Sequence, residues 1–340
     1  MGVMSRETAG ALIKAAFAAA DEHGAVSFAF QGGEPTVAGL DFFRDFVAMV
    51  SAFRPLDRQV SYALQTNGMA LNEEWTHFLK ENQFLVGLSV DGYRELHDHY
   101  RVDTKGEGTY GRVAKALALL QKFEVETNLL CVVTGQCAKH PQKTYASMKK
   151  LRVRYLQFIP CLDPLEEQRG RAVYSLTPKL YGDFLCGLFD QWYRDWAEGH
   201  YTSVRLFDDY VHLAMGEPAS TCAASGGCGS YFVVEADGGV YPCDFYVLDR
   251  WRMGDVHTDS LKQLANDETA SEFLRQGRLR PSRCASCRWV PLCNGGCRRD
   301  WTGGADDTEN YYCESFRRFF EYAADRIGEI AWQERRSRMR

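Results

Sequence analysis

The sequence of 340 residues lacks three features that would assign it to a common functional class. It has no apolar run approaching the ~20 residues that a membrane-spanning helix needs. It has no basic excess: Lys and Arg total 40 against 45 Asp and Glu, and the net charge of −5 argues against a nucleic-acid-binding protein. Residues 1–10 show no basic-then-apolar pattern, so we predict no secretory signal peptide and expect a cytoplasmic location.

Cysteine is absent from the N-terminal part of the chain and abundant near its C-terminus. None of the twelve cysteines precedes Cys131. Without an export signal the compartment is expected to be reducing, so disulfides are disfavoured and metal binding is the first interpretation. The cysteines that crowd the last third are Cys222, Cys228, Cys243, Cys284, Cys287, Cys293, Cys297 and Cys313.

Short apolar runs alternate with amphipathic stretches over the first two thirds of the chain. Between the apolar runs, hydrophobic side chains recur at helical spacing. Repeated strand–helix units predict an α/β fold in which helices cover a parallel sheet. Functional sites of such folds lie at the carboxyl ends of the strands. The five predicted strands are residues 26–30, 60–64, 84–90, 125–133 and 155–159.

The character of the sequence changes near residue 216. Before it, Ser5 is a plausible N-cap of the first helix, and Pro178 opens a long aromatic-rich helix. After it, Cys, Gly and turn residues dominate until a final helix begins near Ser315. A segment with so small an apolar core needs further stabilisation, such as disulfides or a bound metal. We therefore predict two domains, residues 1–215 and residues 216–340.

The C-terminal cysteines have a distinctive spacing, Cys-x2-Cys-x5-Cys-x3-Cys from Cys284 to Cys297, with Cys313 further on. Together with Cys222, Cys228 and Cys243 they make two complete sets of four thiolates. Soft thiolates select zinc or iron–sulfur clusters. A zinc ribbon usually has two Cys-x2-Cys knuckles and this chain has one, whereas dense runs are typical of two-cluster ferredoxins. The pattern therefore favours iron–sulfur clusters over zinc.

This cysteine pattern resembles the SPASM domain, the auxiliary-cluster module of peptide-modifying radical SAM enzymes, and the preceding part resembles the radical SAM barrel. The resemblance is strongest to the anaerobic sulfatase-maturating enzymes and runs from about residue 5 to about residue 330. It implies a partial (β/α)6 radical SAM barrel missing its first strand, followed by a cysteine-rich SPASM domain. The motifs that carry it are FAFQGGEPT at 28–36, FLVGLS at 84–89, QFI at 157–159 and VYPCDFY at 240–246.

The resemblance implies how the thiolates divide between two auxiliary 4Fe–4S clusters. A cluster nearer the active site would be held by Cys222, Cys228, Cys243 and Cys297. An outer cluster would be held by Cys284, Cys287, Cys293 and Cys313. Both clusters would then be fully ligated by protein, which favours a role in electron transfer.

The resemblance also implies a site for S-adenosyl-L-methionine (SAM). The GGEP motif would cradle the methionyl ammonium, with Glu34 as its charge partner or as an organiser of the loop. Asp244 would be the general base that deprotonates the target side chain. His97 and His99 are interpreted as loop residues rather than a metal pair. The residues placed around SAM are Gln31, Gly32, Gly33, Glu34, Gln65, Ser89, Arg101, whose planar fork suits the methionyl carboxylate, and Leu162.

The activity that the resemblance implies is oxidation of a Cys or Ser in an unfolded sulfatase polypeptide to Cα-formylglycine. A 5′-deoxyadenosyl radical from SAM would abstract hydrogen from a Cys/Ser-x-Pro-x-Arg segment, and a flavodoxin- or ferredoxin-type donor would supply electrons. Neither nucleic acid nor a membrane is expected as a partner. Two alternatives stay open: another SPASM peptide maturase that forms crosslinks, and a non-catalytic iron–sulfur or peptide-binding scaffold.

One family element is missing from the sequence. The family binds a third, SAM-binding 4Fe–4S cluster through Cys-x3-Cys-x2-Cys ahead of the GGEP strand, and no cysteine precedes Cys131 here. The family barrel has six strands, against five predicted. We expect one N-terminal deletion to explain both differences, either a truncated gene product or a natural variant. The intact downstream residues favour truncation, and the chain is expected to be inactive without the cluster loop.

Overall fold

The computed structural model describes residues 2–165, 167–229, 231–303 and 308–339. The α-helices of these residues are α1 (Arg6–Ala19), α2 (Leu40–Phe53), α3 (Glu73–Glu81), α4 (Arg94–Tyr100), α5 (Tyr110–Lys122), α6 (Pro141–Lys149), α7 (Pro178–Ala197), α8 (Arg205–Ala214), α9 (Cys222–Ser225), α10 (Leu261–Leu264), α11 (Glu268–Arg278), α12 (Val290–Cys293) and α13 (Cys313–Arg338). Short 3₁₀ helices span Pro35–Ala38, Cys137–Lys139, Asp244–Tyr246, Asp249–Trp251, Ser282–Ser286 and Arg298–Asp300.

A parallel sheet is the main β element, and it confirms the predicted α/β fold. Its six strands follow one another in chain order, and the registered pairs are parallel. They are β1 (Ala25–Phe30), β2 (Gln59–Thr66), β3 (Phe84–Ser89), β4 (Thr127–Val133), β5 (Tyr155–Pro160) and β6 (Ser203–Val204). All five predicted strands are present. The prediction missed β6 because two residues are too short to show any periodicity.

The first of two compact units consists of residues 1–88, 114–127 and 227–278. Its N-terminal core packs α1 and α2 against β1, with the Phe28 ring edge-to-face to Phe17 at 6.3 Å and to Phe46 at 5.2 Å. Ser5 caps α1 as predicted, because its hydroxyl accepts a 3.0 Å hydrogen bond from the backbone N–H of Thr8. This packing fixes the end of β1, where the GGEP motif begins.

A small antiparallel sheet lies in the C-terminal part of the same unit. Its strands are β7 (Val233–Val234), β8 (Gly239–Tyr241) and β9 (Gly254–Asp255). Beside it, the aromatic rings of Tyr246, Trp251 and Phe273 form a compact cluster with centroids 5.1–6.4 Å apart. This cluster anchors the turn that carries Cys243 and Asp244.

The second unit consists of residues 89–113, 128–226 and 279–340. The long helix α13 packs on α7 and α8 through aromatic side chains, with the Phe319 ring 5.5 Å from Phe189 of α7 and 5.6 Å from Phe207 of α8. The hydroxyl of Ser315 donates a 2.6 Å hydrogen bond to the carbonyl of Pro178. Both α7 and α13 were predicted from the sequence, and α13 begins two residues earlier than expected. Two short antiparallel strands of two residues each, β10 (Trp301–Thr302) and β11 (Glu309–Asn310), precede α13.

Each compact unit takes segments from both sides of residue 215. The predicted domain boundary between residues 215 and 216 was placed at a change in the character of the sequence. The compact units do not test it, and it stays a prediction. Within the part of the chain that the structure describes, no helix combines the length and apolar composition needed to cross a membrane.

Candidate active site and cluster sites

Asp244, the predicted general base, is held by hydrogen bonds at both carboxylate oxygens. Its Oδ2 accepts a 2.8 Å bond from Nε2 of Gln31, and its Oδ1 accepts a 2.6 Å bond from the hydroxyl of Tyr231. The thiol of Cys243 lies 3.5 Å from the same Oδ1. Burial, and next the hydrogen bond to Asp244, raise the pKa of Tyr231, so its phenol stays protonated and remains a donor. The structure thus fixes the direction in which Asp244 can accept a further proton.

The GGEP loop begins directly after β1 in the same unit. Gly32 and Gly33 adopt positive φ angles of 89° and 50°, in the left-handed region that glycine reaches without strain. A Cβ added at either position would meet no atom within 4 Å. The loop backbone therefore faces open space and fits the close approach of a ligand such as the methionyl group of SAM.

Glu34 organises this loop. Its Oε1 accepts bonds from the backbone N–H of Thr36 at 3.1 Å and from the hydroxyls of Thr36 at 2.6 Å and Thr66 at 2.8 Å. Its Oε2 accepts a 2.7 Å bond from the backbone N–H of Asn67. Two of these four bonds, from Thr66 and Asn67, tie the loop after β1 to the end of β2. They support the role of loop organiser, one of the two that we considered for this carboxylate.

Three other residues predicted to contact SAM lie at strand ends. Gln65 is the penultimate residue of β2, and Ser89 is the last residue of β3. Leu162 follows the end of β5 and is half-buried. These positions agree with the rule that ligands bind at the carboxyl ends of parallel strands. Their contacts with SAM stay predictions.

Arg101, predicted to bind the methionyl carboxylate, is oriented by the buried carboxylate of Asp91. Its Nε donates a 2.6 Å bond to Oδ2 of Asp91, and its Nη2 donates a 3.3 Å bond to Oδ1. Oδ1 of Asp91 also accepts from the backbone N–H of Val132 at 2.9 Å. A guanidinium has five N–H donors, so this pairing leaves capacity for a second carboxylate. Asp91 therefore places a cationic fork at the edge where strands end.

His97 and His99 lie in α4 and not in the predicted loop, and His97 is a buried structural residue. Its Nδ1 accepts a 3.1 Å bond from the backbone N–H of Asp91, so Nε2 carries the proton and donates to Oγ1 of Thr109 at 3.0 Å. Burial lowers the pKa of His97 to about 4, and the imidazole is neutral near pH 7. The ring thus braces the turn that presents Asp91.

Four cysteines predicted to hold the outer cluster line one cavity in the second unit. The cavity has a volume of about 350 Å³, and the cysteines are Cys284, Cys287, Cys293 and Cys313. The pKa of Cys293 is raised to about 12, chiefly by burial, and the other three thiols contribute to the rise. Among the described residues, no three His, Cys, Asp or Glu side chains form a site for a single metal ion. Four thiol donors around a common cavity fit an iron–sulfur cluster.

The four cysteines predicted to hold the inner cluster divide between the two units. Cys228 and Cys243 belong to the first unit, where both pack against the cluster of Tyr246, Trp251 and Phe273. Cys222 begins α9 and Cys297 precedes a 3₁₀ helix, both in the second unit. This ligand set stays a prediction.

Two residues of the site were missed by sequence reasoning. Tyr231 holds Asp244, yet nothing in the spacing of a phenol and a carboxylate thirteen residues apart signals their contact. Asp91 holds Arg101, and here a signal existed, because Asp91 follows a strand at the edge where functional groups collect.

Comparison with known proteins agrees with this geometry. Residues 5–148 match the family model of the radical SAM superfamily, and residues 226–288 match the SPASM iron–sulfur cluster-binding domain. The cysteine-type anaerobic sulfatase-maturating enzyme of Clostridium perfringens (strain 13 / Type A) is 43% identical over 332 residues, covering 97% of this chain and 89% of that protein.

The chain belongs to the anaerobic sulfatase-maturating enzymes.

A second sulfatase-maturating enzyme, the serine-type protein of Bacteroides thetaiotaomicron, is 30% identical over 317 residues, covering 88% of this chain and 76% of that protein. The solved structure of native anSMEcpe with bound AdoMet and Kp18Cys peptide matches with a TM-score of 0.94 and 43% sequence identity. That match covers 98% of this chain and 92% of the other. The predicted fold class, radical SAM barrel and SPASM domain are thereby confirmed for this member of the sulfatase-maturating enzymes.

Proposed function

We propose that this chain is a cysteine-type maturase that converts a cysteine of a sulfatase-derived peptide into Cα-formylglycine. The observation that carries the proposal is the carboxylate of Asp244, which is held at both oxygens one residue after Cys243. The choice of cysteine is supported by 43% identity to the cysteine-type relative against 30% to the serine-type relative.

The reaction removes two electrons from the substrate cysteine. Its β-carbon loses a hydrogen atom, its thiol loses a proton, and one further electron leaves, which forms a thioaldehyde. Water then replaces sulfur to give the aldehyde and hydrogen sulfide. Bound SAM supplies the radical chemistry that takes the hydrogen atom, and bound iron–sulfur clusters carry electrons.

Asp244 accepts the thiol proton in this scheme. A carboxylate offers about four lone-pair positions, and Gln31 and Tyr231 use one on each oxygen. The remaining positions can accept from the substrate, and their direction is set because both donors are fixed. General-base catalysis of this kind contributes roughly 10²–10⁴ in rate.

The SAM-binding and cluster-binding residues complete the proposal. The residues that would contact SAM are Gln31, Gly32, Gly33, Glu34, Gln65, Ser89, Arg101 and Leu162. The open backbone at the two glycines and the fork of Arg101 support this assignment. Inner and outer 4Fe–4S clusters would be held by the two predicted sets of four cysteines. A third, SAM-binding cluster would need ligands outside these sets.

The partners follow from the same chemistry. The substrate would be an unfolded sulfatase segment of the Cys-x-Pro-x-Arg type, and a flavodoxin- or ferredoxin-type protein would donate electrons. Free thiolates must stay reduced to bind iron, which supports a cytoplasmic location.

Iron content tests the cluster assignment. The chain, purified without oxygen and supplied with iron and sulfide, is expected to hold about eight irons. Cys293→Ala should lower that content by about half, whereas Cys186→Ala, at a cysteine outside both sets, should leave it unchanged. A colourless wild-type chain would exclude the proposed clusters.

Peptide oxidation tests the activity. The gene is expressed both from Met1 and from the codons upstream of Met1, and each product is incubated with SAM, a reductant and a Cys-x-Pro-x-Arg peptide. Mass spectrometry and an aldehyde-trapping hydrazide should detect formylglycine with the upstream-extended product, whereas the product from Met1 is expected to be inactive because it lacks the cluster loop. SAM cleavage with an unchanged or crosslinked peptide would assign the chain to another substrate.

A further inference from the structure

Charged side chains surround the cavity that is lined by Cys284, Cys287, Cys293 and Cys313. Arg283, Arg288 and Arg317 belong to its lining, as do the carboxylates of Glu309 and Glu321. Any anionic cluster in this cavity would experience their combined electrostatic field.

Arg283 holds a central position among these charges. It lies in the 3₁₀ helix Ser282–Ser286, which also carries Cys284. Its Nη1 is 3.1 Å from Oε1 of Glu314 and 3.5 Å from Oε1 of Glu309. Glu314 directly follows Cys313 in the first turn of α13. The Arg283–Glu314 pair is therefore formed by the sequence neighbours of two predicted ligands, Cys284 and Cys313.

Both members of this pair are close to Cys313. Glu314 is its neighbour in the sequence, and Arg283 lines the same cavity as Cys313. Arg317 offers a second partner to Glu314, at 3.4 Å.

We propose that Arg283 and Glu314 tune, in opposite directions, the reduction potential of the iron–sulfur cluster bound in this cavity. The inference rests on the proposed outer ligand set. Reduction adds negative charge to a cluster that four thiolates already make anionic, so a nearby cation favours the reduced form and a nearby anion opposes it. Arg283 thus acts on the reduction potential through its charge and is not itself a ligand of the cluster.

The test uses the full chain loaded with iron and sulfide and an EPR-monitored redox titration. Arg283→Gln should lower the ratio of reduced to oxidised outer cluster on the order of fivefold at fixed potential, and Glu314→Gln should raise it. Arg283→Lys keeps the positive charge and should restore the wild-type value. The difference between wild type and Arg283→Gln should shrink with added salt, because exposed charges are screened.

Two controls separate electrostatics from structure. Arg318→Gln removes the same charge from α13 at a residue that pairs with Asp183 and should leave the titration unchanged. Repeating the series in a Cys243→Ala background removes the inner cluster, so that the remaining signal belongs to the outer one.

The outcomes distinguish this inference from the function on which it rests. If iron binds and the potential is the same in wild type, Arg283→Gln and Glu314→Gln, the pair is merely structural and the inference is wrong. The inference is equally wrong if both substitutions shift the potential in one direction. If the wild-type chain binds no iron, the ligand assignment itself fails, and this proposal fails with it.

Discussion

Gln31 donates a 2.8 Å hydrogen bond from its Nε2 to Oδ2 of Asp244. Gln31 is the first residue after β1 and precedes the GGEP loop, whereas Asp244 follows Cys243 in the sequence motif of the SPASM domain. A single contact within one compact unit therefore joins the proposed SAM loop to the proposed proton acceptor. Substitutions at either end should affect the reaction more than they affect folding.

Asp244→Asn is expected to abolish the proton-accepting function while keeping the size of the side chain. Aldehyde formation should fall at least about 100-fold, because the amide cannot act as a base. In the upstream-extended product, formation of 5′-deoxyadenosine should continue, which separates loss of the base from loss of SAM binding. Chromatography of the nucleoside beside mass spectrometry of the peptide measures both.

Asp249→Asn serves as the matched control, because Asp249 is an exposed aspartate of the same unit. Unchanged aldehyde formation in Asp244→Asn would contradict the assignment of the base. Equal losses in both variants would point to a general effect of charge.

Glu34→Gln is expected to loosen the GGEP loop. Glutamine offers one acceptor oxygen in place of two, so part of the bonding to Thr36, Thr66 and Asn67 is lost. A hydrogen bond to a charged group contributes about 1.5–3 kcal/mol, and the urea midpoint of unfolding should fall accordingly. Calorimetry should also show weaker SAM binding. Glu22→Gln, at an exposed turn of the same unit, should change neither quantity.

Asp91→Asn is expected to release Arg101 from its fixed orientation. The amide can still accept from Val132, but the charge that holds the guanidinium is gone. We expect the dissociation constant for SAM to rise roughly tenfold, as the loss of one charge-assisted bond implies. Asp103→Asn removes the partner of Arg112 in the following loop and should leave SAM affinity unchanged. Equal affinities in all three proteins would dissociate Arg101 from SAM binding.

His97 should make the stability of the fold depend on pH. Because burial lowers its pKa to about 4 from the ordinary 6.5, the unfolded chain binds a proton at a higher pH than the folded chain. The free energy of unfolding is unaffected by His97 above about pH 6.5. It falls as the pH is lowered from 6.5 to about 4, and the total loss reaches about 3 kcal/mol. Urea midpoints measured across this range should fall more steeply in wild type than in His97→Gln. Parallel curves would show that another group dominates.

Much of the fold was predictable because the sheet and the long helices have clear hydrophobic periods. The five longer strands, the cap at Ser5 and the helix that opens at Pro178 all follow from local patterns. β6 was not predicted because only Ser203 and Val204 form it, and their pairing with β5 is a tertiary contact. Local propensity does not report such a contact.

The candidate site was predictable in its residue types and not in its contacts. The GGEP loop and Asp244 were predicted from the sequence motifs in which they occur. Which donors reach Asp244 depends on how the small sheet and the end of β1 pack, so local sequence patterns do not reveal the role of Tyr231. The SAM contacts and the two ligand sets rest on the motifs and stay predictions.

The way α13 is secured bears on what the cluster contributes to the fold. Cys313 opens this helix, yet the helix is held by the Ser315–Pro178 hydrogen bond and by stacking of Phe319 on Phe207, neither of which involves sulfur. Loss of the cluster is therefore expected to leave the packing of this helix intact, because neither contact needs a thiolate.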